Sequence, residues 1–314
     1  MKLKAVISGF CAIALAASLS ACNTDAKSGK ADKPAENSKL KIVATTGYLA
    51  DAIKNIAPDA DITTLVAPGG DPHTQELTTK DTEKIQEADL VVWTSHDMEH
   101  KMMAQFDGLG DKSLPAAESI PEKMLLDWEE DGKVEGHDPH VWNDPIGWQY
   151  AVTATAEKIA KIDKANADKY LENGKAYNAK IQSMHEKAKA QFDKIPADRR
   201  TLVTGHDAFN YLGRTYGLEI FATDTVSSEA EISSVQLEEL ATLVAEKKVP
   251  VIFHDNLKNP EVIKHLQEIV KSKGWEVKLS DTELFADTLG EKAPTDTYLG
   301  AFEHNVKAIV EALS

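Results

Sequence analysis

The stretch ADKYLENGKAYNAKIQSMHEKAKAQFDKI, residues 167–195, decides the fold. It contains no proline and no strand-like apolar run. Tyr170, Tyr177, Ile181, Met184, Ala188, Phe192 and Ile195 recur at spacings of three, four or seven, which puts them on one face of a helix. The spacing predicts one long helix with a single apolar stripe. Two shorter helices, broken near Asn173-Gly174, are the alternative.

On both sides of this helix the pattern changes to short apolar runs alternating with amphipathic stretches. Before it, residues 40–44 read as a strand, 47–56 as a helix, 61–66 as a strand and 89–93 as a third strand. Thr78-Thr79-Lys80-Asp81 opens a helix with a capping residue. After Pro196, strands are expected at 201–204, 218–222, 250–253 and 275–279. Helices are expected at 207–216, 234–246, 260–272 and 296–313. Such alternation marks parallel βαβ units. The expected architecture is α/β: two parallel-sheet lobes, residues 40–166 and 196–314, bridged by a single long helix over 167–195. Open α/β sheets bind ligands beyond the carboxyl ends of their strands. The cleft between the lobes is therefore the natural place for a site.

The 314-residue chain carries 35 Lys+Arg against 51 Asp+Glu, a net charge of −16. Such a surface repels phosphate and excludes a nucleic-acid partner. Its 42% of hydrophobic residues exclude global disorder. Two cysteines exclude a disulfide framework, a zinc ribbon and an iron–sulfur site. Lys2 and Lys4 precede an apolar run from Ala5 to Leu19, followed by Leu19-Ser20-Ala21-Cys22. This reads as a secretory signal over residues 1–21. Its ending resembles the bacterial lipobox, in which Cys22 is lipidated and becomes the first mature residue. An uncleaved membrane anchor is the alternative, but the run is short for a span. Cleavage removes two lysines and no acid, so −16 becomes −18, and Cys22 is the one cysteine left. Residues 22–39 are almost devoid of apolar side chains and read as a flexible tether. The expected protein is exported, monomeric and attached to a membrane by the lipid at Cys22, facing the extracytoplasmic side.

Three histidines stand in loops beside these elements. His73 closes Gly69-Gly70-Asp71-Pro72-His73. His140 lies in His137-Asp138-Pro139-His140-Val141-Trp142-Asn143-Asp144-Pro145. His206 follows a strand directly in Thr204-Gly205-His206-Asp207. The Asp-Pro-His triplet occurs twice, and its proline stiffens the backbone carrying the imidazole. Three neutral imidazoles meeting in one cleft suit a borderline first-row metal, and a carboxylate would complete four-coordination. Asp287, after the last strand, is the first candidate for that carboxylate. Asp281 and Glu283 are nearly as good on the residues alone. His137 is a candidate auxiliary ligand. His96, His100, His185, His254, His265 and His304 read as structural, with His185 and His265 solvated on helices. The acidic run over residues 127–135 reads as a solvated loop near the cleft.

These motifs identify a family. The chain from Leu40 to Leu313 resembles the manganese/zinc-binding solute receptor lipoproteins of bacterial ABC transporters, the cluster A-I metal-binding family. The resemblance rests on Gly-Asp-Pro-His at 70–73, Asp-Pro-His-Val-Trp-Asn-Asp-Pro at 138–145 and Gly-His-Asp-Ala-Phe at 205–209. Phe-Ala-Asp-Thr-Leu-Gly at 285–290 follows, with Asp296-Thr297-Tyr298 and His304-Asn305 after it. It implies two lobes on a rigid helical bridge, with limited lobe movement and the metal in the inter-lobe cleft. Carried over by position, the metal ligands fall on His73, His140, His206 and Asp287. The implied cargo is Zn2+ or Mn2+, captured outside the cytoplasm and delivered to an ABC permease. Two segments depart from the family pattern. Thr94-Ser95-His96-Asp97-Met98-Glu99 replaces a common Asn-Gly pair, and His254-Asp255 stands where a glutamate is frequent. Val226-Ser227-Ser228-Glu229-Ala230 looks like the manganese branch, while a His3Asp donor set favours zinc.

Other functions are weaker fits. A zinc metalloenzyme needs an open coordination position and a general base, and no His-Glu-x-x-His helix is present. A surface adhesin would leave the ligand set without a purpose. A sugar or peptide receptor is disfavoured by an aromatic content of only 6%.

Overall fold

A computed structural model describes residues 39–130, 133–227, 230, 232–256 and 260–314. The signal segment, Cys22, tether residues 22–38 and Ser228-Glu229 lie outside the described residues.

The first half is built from β1 (Lys41–Ala44), α1 (Gly47–Ile56), β2 (Asp61–Thr64), α2 (Thr79–Glu87), β3 (Leu90–Trp93), α3 (Met103–Asp107) and β4 (Ser113–Pro115). The strands form one parallel sheet in the order β2-β1-β3-β4. β3 is buried along its whole length, which is why it reads as an unbroken apolar run. α2 begins with the expected cap: the Thr78 N–H donates to Asp81 and the Asp81 N–H donates to the Thr78 hydroxyl. Next come a hairpin, β5 (Asp127–Glu130) with β6 (Lys133–His137), and two helices, α4 (Pro145–Ile162) and α5 (Ala167–Phe192).

The second half contains β7 (Thr201–Thr204), α6 (Asn210–Tyr216), β8 (Glu219–Ala222), α7 (Ser234–Glu246), β9 (Val251–Ile252), α8 (Pro260–Ser272), β10 (Lys278–Leu279) and α9 (Tyr298–Leu313). β7 pairs parallel with β8, and β9 with β10. The Phe253 N–H donates to the Val203 carbonyl at 2.9 Å, which sets β9 beside β7. The strands thus run β8-β7-β9-β10, the same winding as the first half. A capping box at Ser233 and Gln236 starts α7.

α5 is one unbroken helix, and its stripe of Tyr170, Tyr177, Ile181, Met184, Ala188 and Phe192 is buried. It is not a free-standing bridge, because α4 runs along it. The expected turn signals did not reveal α4, the hairpin or β4. α4 buries one stripe, but that stripe is rich in Ala, with Thr155 in it, while Tyr150 and Ile162 lie exposed on the outer side, so the apolar contrast is weak. The acidic run expected to be a loop is the hairpin itself. Nor is His185 solvated: its Nδ1 hydrogen-bonds the Tyr216 hydroxyl at 2.9 Å.

Gly174 is a contact point rather than a break. A Cβ there would stand 2.8 Å from the Ala156 Cβ of α4. Next to it, the Asn173 side-chain amide donates to the Ile56 carbonyl at the end of α1 at 2.8 Å. Asp51 of α1 adds a second tie, accepting from the Tyr177 hydroxyl and, at 3.3 Å, from the Tyr298 N–H. One continuous core therefore takes side chains from α1, α4, α5 and α9 together with both sheets.

Gly174→Ala tests this packing by sign. Helix propensity alone would stabilise the variant by about 1 kcal/mol. Overpacking costs about 1–3 kcal/mol. A net loss of about 1 kcal/mol is expected in urea unfolding. Stabilisation would show that α4 and α5 do not approach so closely.

Candidate metal centre

Each of the four candidate ligands sits in a connecting segment rather than in a strand or helix. His73 lies between β2 and α2, and His140 between β6 and α4. His206 follows β7, and Asp287 follows β10. Their ligand atoms all lie within 4.8 Å of one another, and all four residues are buried. His73 Nε2 is 3.3 Å from His140 Nε2, which is 3.1 Å from His206 Nε2. Asp287 Oδ2 stands 3.6 Å from His73 Nε2 and 3.2 Å from His206 Nε2, and Oδ1 is 3.3 Å from His140 Nε2. Donors bonded tetrahedrally at about 2.0–2.1 Å are ~3.3 Å apart, so the spacing already fits a small cation. Both Asp287 oxygens are buried without a hydrogen-bond partner. Burying a carboxylate without hydrogen-bond donors is costly, and a cation at the centre would offset that cost. Asp281 and Glu283 are exposed and do not join the cluster.

The repeated Asp-Pro-His triplet has a specific local role. Asp71 Oδ1 accepts from the His73 N–H, and Asp138 Oδ1 from the His140 N–H, each at 2.9 Å. In both, an aspartate folds back on the backbone two residues ahead and so aims the following imidazole. Asp138 does more: its Oδ1 also accepts a hydrogen bond from His140 Nδ1 at 2.7 Å. That fixes the tautomer and leaves the Nε2 lone pair facing the cluster. The other Asp138 oxygen accepts from the Asn210 amide at 3.1 Å, and the Tyr211 hydroxyl donates to the Asp138 carbonyl at 2.8 Å. The His206 N–H donates to Asp255 at 2.7 Å. Of the divergent pair His254-Asp255, it is therefore Asp255 that supports the site.

The Asp287 loop is held from both halves. The Trp142 indole N–H and the Tyr48 hydroxyl both donate to the Ala286 carbonyl, at 2.9 and 3.0 Å, while their rings stack 4.6 Å apart. From the second half, Asn305 accepts from the Phe285 N–H and Asn256 from the Ala286 N–H, at 2.9 and 3.0 Å. The rest of the motif around His140 is used as well. Asn143 donates to the Ala208 carbonyl at 2.8 Å. Asp144 caps α4 at Ile146 and pairs with Arg214 at 2.8 Å. Pro145 fills the first helical position, where its missing N–H costs nothing. Tyr48, Asn256, Asn210 and Tyr211 carried no signal in the sequence, since each acts across a distance no local motif records.

Burial disfavours the imidazolium form at all three histidines, and at His73 it wins, so that ring's pKa is lowered. At His140 burial is overcome by the charges of Asp287 and Asp138, and the pKa is pushed up to about 10. His206 is also raised, with Asp287 outweighing burial. Asp287 itself, despite burial, is held well below the usual carboxylate range by His206 and His140. Without a cation, protons take the place of its charge.

Around Glu99 the divergent loop is unusual in its backbone. Ser95, His96 and Asp97 are all left-handed, with φ of 81°, 52° and 68°. Glu99 is fully buried and accepts from the Thr94 N–H at 2.7 Å, the Ser95 N–H at 3.0 Å and the Thr45 hydroxyl at 2.6 Å. These bonds hold the strained run in place.

The family model described as zinc-uptake complex component A, periplasmic, matches residues 42–312. The chain is 34% identical to the zinc-binding protein TroA of Treponema pallidum, over 91% of this chain and 92% of that one. It is 32% identical to the manganese-binding lipoprotein MntA of Bacillus subtilis, over 94% of this chain and 95% of that one. The solved structure of the periplasmic zinc-binding protein TroA superposes with a TM-score of 0.84, covering 88% of this chain and all of that one.

Asp138→Asn keeps the shape of the turn but removes the charge behind His140. Zn2+ affinity is expected to fall about tenfold or more, read by competition with a chromogenic chelator, with the thermal midpoint little changed. Unaltered affinity would mean that Asp138 does not tune the ligand.

Proposed function

The chain belongs to the zinc-uptake complex component A family, and on that footing we propose that it captures a divalent transition metal, Zn2+ or Mn2+, outside the cytoplasm and delivers it to an ABC permease. The observation that carries this reading is the Asp287 carboxylate. It is buried, without a hydrogen-bond partner, and faced by three imidazole Nε2 atoms. The ligands in this reading are His73, His140, His206 and Asp287.

The donor set accounts for both relatives' metals. One Asp287 oxygen with three imidazoles makes a tetrahedral sphere suited to zinc. The two oxygens face different imidazoles, Oδ1 towards His140 and Oδ2 towards His73 and His206. A bidentate Asp287 would give the higher coordination that suits manganese. Between the two, intrinsic affinity favours zinc. Four protein ligands leave a tetrahedral ion no position for an activated water, so the reading is a carrier and not a catalyst.

Delivery requires the ion to leave. In this reading the lobes are residues 40–166 and 196–314, with 167–195 as the helix between them. His73 and His140 come from one lobe, His206 and Asp287 from the other. A small change in lobe spacing would then break the sphere without unfolding either sheet. The reading places the protein as a monomer on the outer side of a membrane, tethered through a lipid at Cys22. Among the described residues, no helix is long and apolar enough to cross a membrane.

Chelator-treated protein titrated with Zn2+ and Mn2+ tests the assignment. His140→Ala is expected to lose at least about a hundredfold in affinity while remaining folded, since it removes one of four ligands. Wild-type affinity in that variant would refute the site. pH gives an independent check. His140 is held up to about 10 in the ion-free site, so at neutral pH an incoming cation must displace its proton. Affinity should rise with pH between about 5.5 and 8.5, with one or more protons released per ion. Calorimetry in buffers of different ionisation heat measures that release. Proton-neutral, pH-independent binding would contradict it.

A further inference from the structure

His73 is carried by the connection between β2 and α2, residues 65–78, which contains no strand or helix. Local hydrogen bonds give this connection its shape. The Gly70 N–H donates to the Ala67 carbonyl, the His73 N–H to the Asp71 side chain and the Gln75 N–H to the Asp71 carbonyl, at 2.9, 2.9 and 3.0 Å. The first of these closes a turn over Ala67-Pro68-Gly69-Gly70. Proline stands second in it, and Gly69, with φ of 72°, stands third. That is a type II turn, whose third position needs a positive φ and so favours glycine. The turn's own bond uses the Gly70 N–H, which leaves the Gly69 N–H for another acceptor. It donates at 3.0 Å to the hydroxyl of Thr288, the residue directly after Asp287.

Thr288 is itself fixed. It is 1% exposed, and the Asn256 side-chain amide donates to its hydroxyl at 2.6 Å and to its carbonyl at 2.9 Å. Asn256 also accepts from the Ala286 N–H at 3.0 Å, so it grips the chain on both sides of Asp287. A hydroxyl oxygen has two lone pairs, and the Thr288 oxygen accepts from both Gly69 and Asn256. One side chain thus joins the turn that leads into His73 to the loop that carries Asp287. Beside this contact lies a cavity of about 550 Å3, with Val66, Ala67 and Pro68 in its wall together with Thr288, Leu289 and Gly290. The turn has room to move when its bond to Thr288 breaks.

We propose that Thr288 is a positioning residue for metal retention: its hydroxyl holds the Gly69 turn, keeps His73 in the coordination sphere and so sets the rate at which the ion leaves. The proposal rests on the metal reading of the buried cluster given above. Asp71 aims the His73 imidazole from within the same connection, so releasing the turn frees the imidazole with it. Thr288→Val isolates the bond, because it keeps the outline of the side chain and removes the acceptor. Asn256 retains its bonds to the Thr288 carbonyl and the Ala286 N–H, so the grip on the Asp287 loop survives the change.

The test has two readouts on the mature chain, with Cys22→Ser in place of the lipidated cysteine. The first is hydrogen exchange of the Gly69 amide, followed by NMR in chelator-treated protein. Exchange should be about threefold to tenfold faster in Thr288→Val than in wild type, the weight of one hydrogen bond. Thr288→Ser, which keeps the hydroxyl, should match wild type. The second readout is the loss of Zn2+ from loaded protein to an excess of chelator. Thr288→Val should release zinc about threefold to tenfold faster, with association little changed, and Thr288→Ser should restore the wild-type rate. A hydroxyl with a merely structural role would lower the thermal midpoint and leave release unchanged. Thr288→Ala gives the same comparison if the valine variant does not fold. Equal Gly69 exchange in wild type and Thr288→Val would overturn the proposal, as would faster exchange with an unchanged release rate. His140→Ala separates this failure from that of the metal reading. If it loses zinc while Thr288→Val releases at the wild-type rate, the role of Thr288 alone is wrong. If it keeps wild-type affinity, the buried cluster is not the metal site and the role of Thr288 falls with it.

Discussion

A carboxylate with no exposed surface has to be compensated, and at Asp287 no hydrogen-bond donor does so. The partners it has are three imidazoles, two of which its own charge holds in favour of the protonated form. The ion-free site is therefore a balance of one anion against shared protons, in a region from which water is excluded. Replacing those protons by a doubly charged cation strengthens every contact at once. Most of the surrounding hydrogen bonding serves to hold this one group in place.

The support is distributed in a way that suits a carrier. Asp287 sits in the second half of the chain, yet its loop is tied to Tyr48 and Trp142 in the first half. Tyr298 returns the tie by donating to the Trp142 carbonyl at 2.8 Å. Behind them, α1, α4, α5 and α9 share one core, and Asp51 joins three of those helices. A frame of this kind resists hinge bending and lets small displacements act on the ligands. Capture and release can then be controlled by ångström-scale changes in ligand spacing.

Much of the fold could be read from the residues. α1, β7, α7 and α8 begin and end where the alternation of apolar runs and caps places them. α5 showed itself through its stripe. α4 did not, because its buried stripe is rich in Ala, with Thr155 in it, and its outer side keeps Tyr150 and Ile162, which weakens the contrast that betrays an amphipathic helix. The turn of the chain at residues 127–137 was hidden for a different reason. Its strands are rich in charge, and only cross-strand pairing makes them a hairpin. Gly174 shows the limit of local reading: the residue that weakens a helix in isolation lets α4 approach in the folded protein.

The sequence by itself determined which residues could serve as ligands and how His73 and His140 were to be aimed. The Asp-Pro-His turns, the histidine directly after β7 and the caps are all local devices, encoded within a few residues. What only the tertiary structure decided was their convergence. His73 and His140 are 67 residues apart, and His140 and His206 are 66 apart. Nothing in their spacing separates Asp287 from Asp281 or Glu283. Burial does, because Asp287 is taken out of water and the other two are not. Local patterns fix local geometry, whereas contacts across the core depend on the whole chain packing at once.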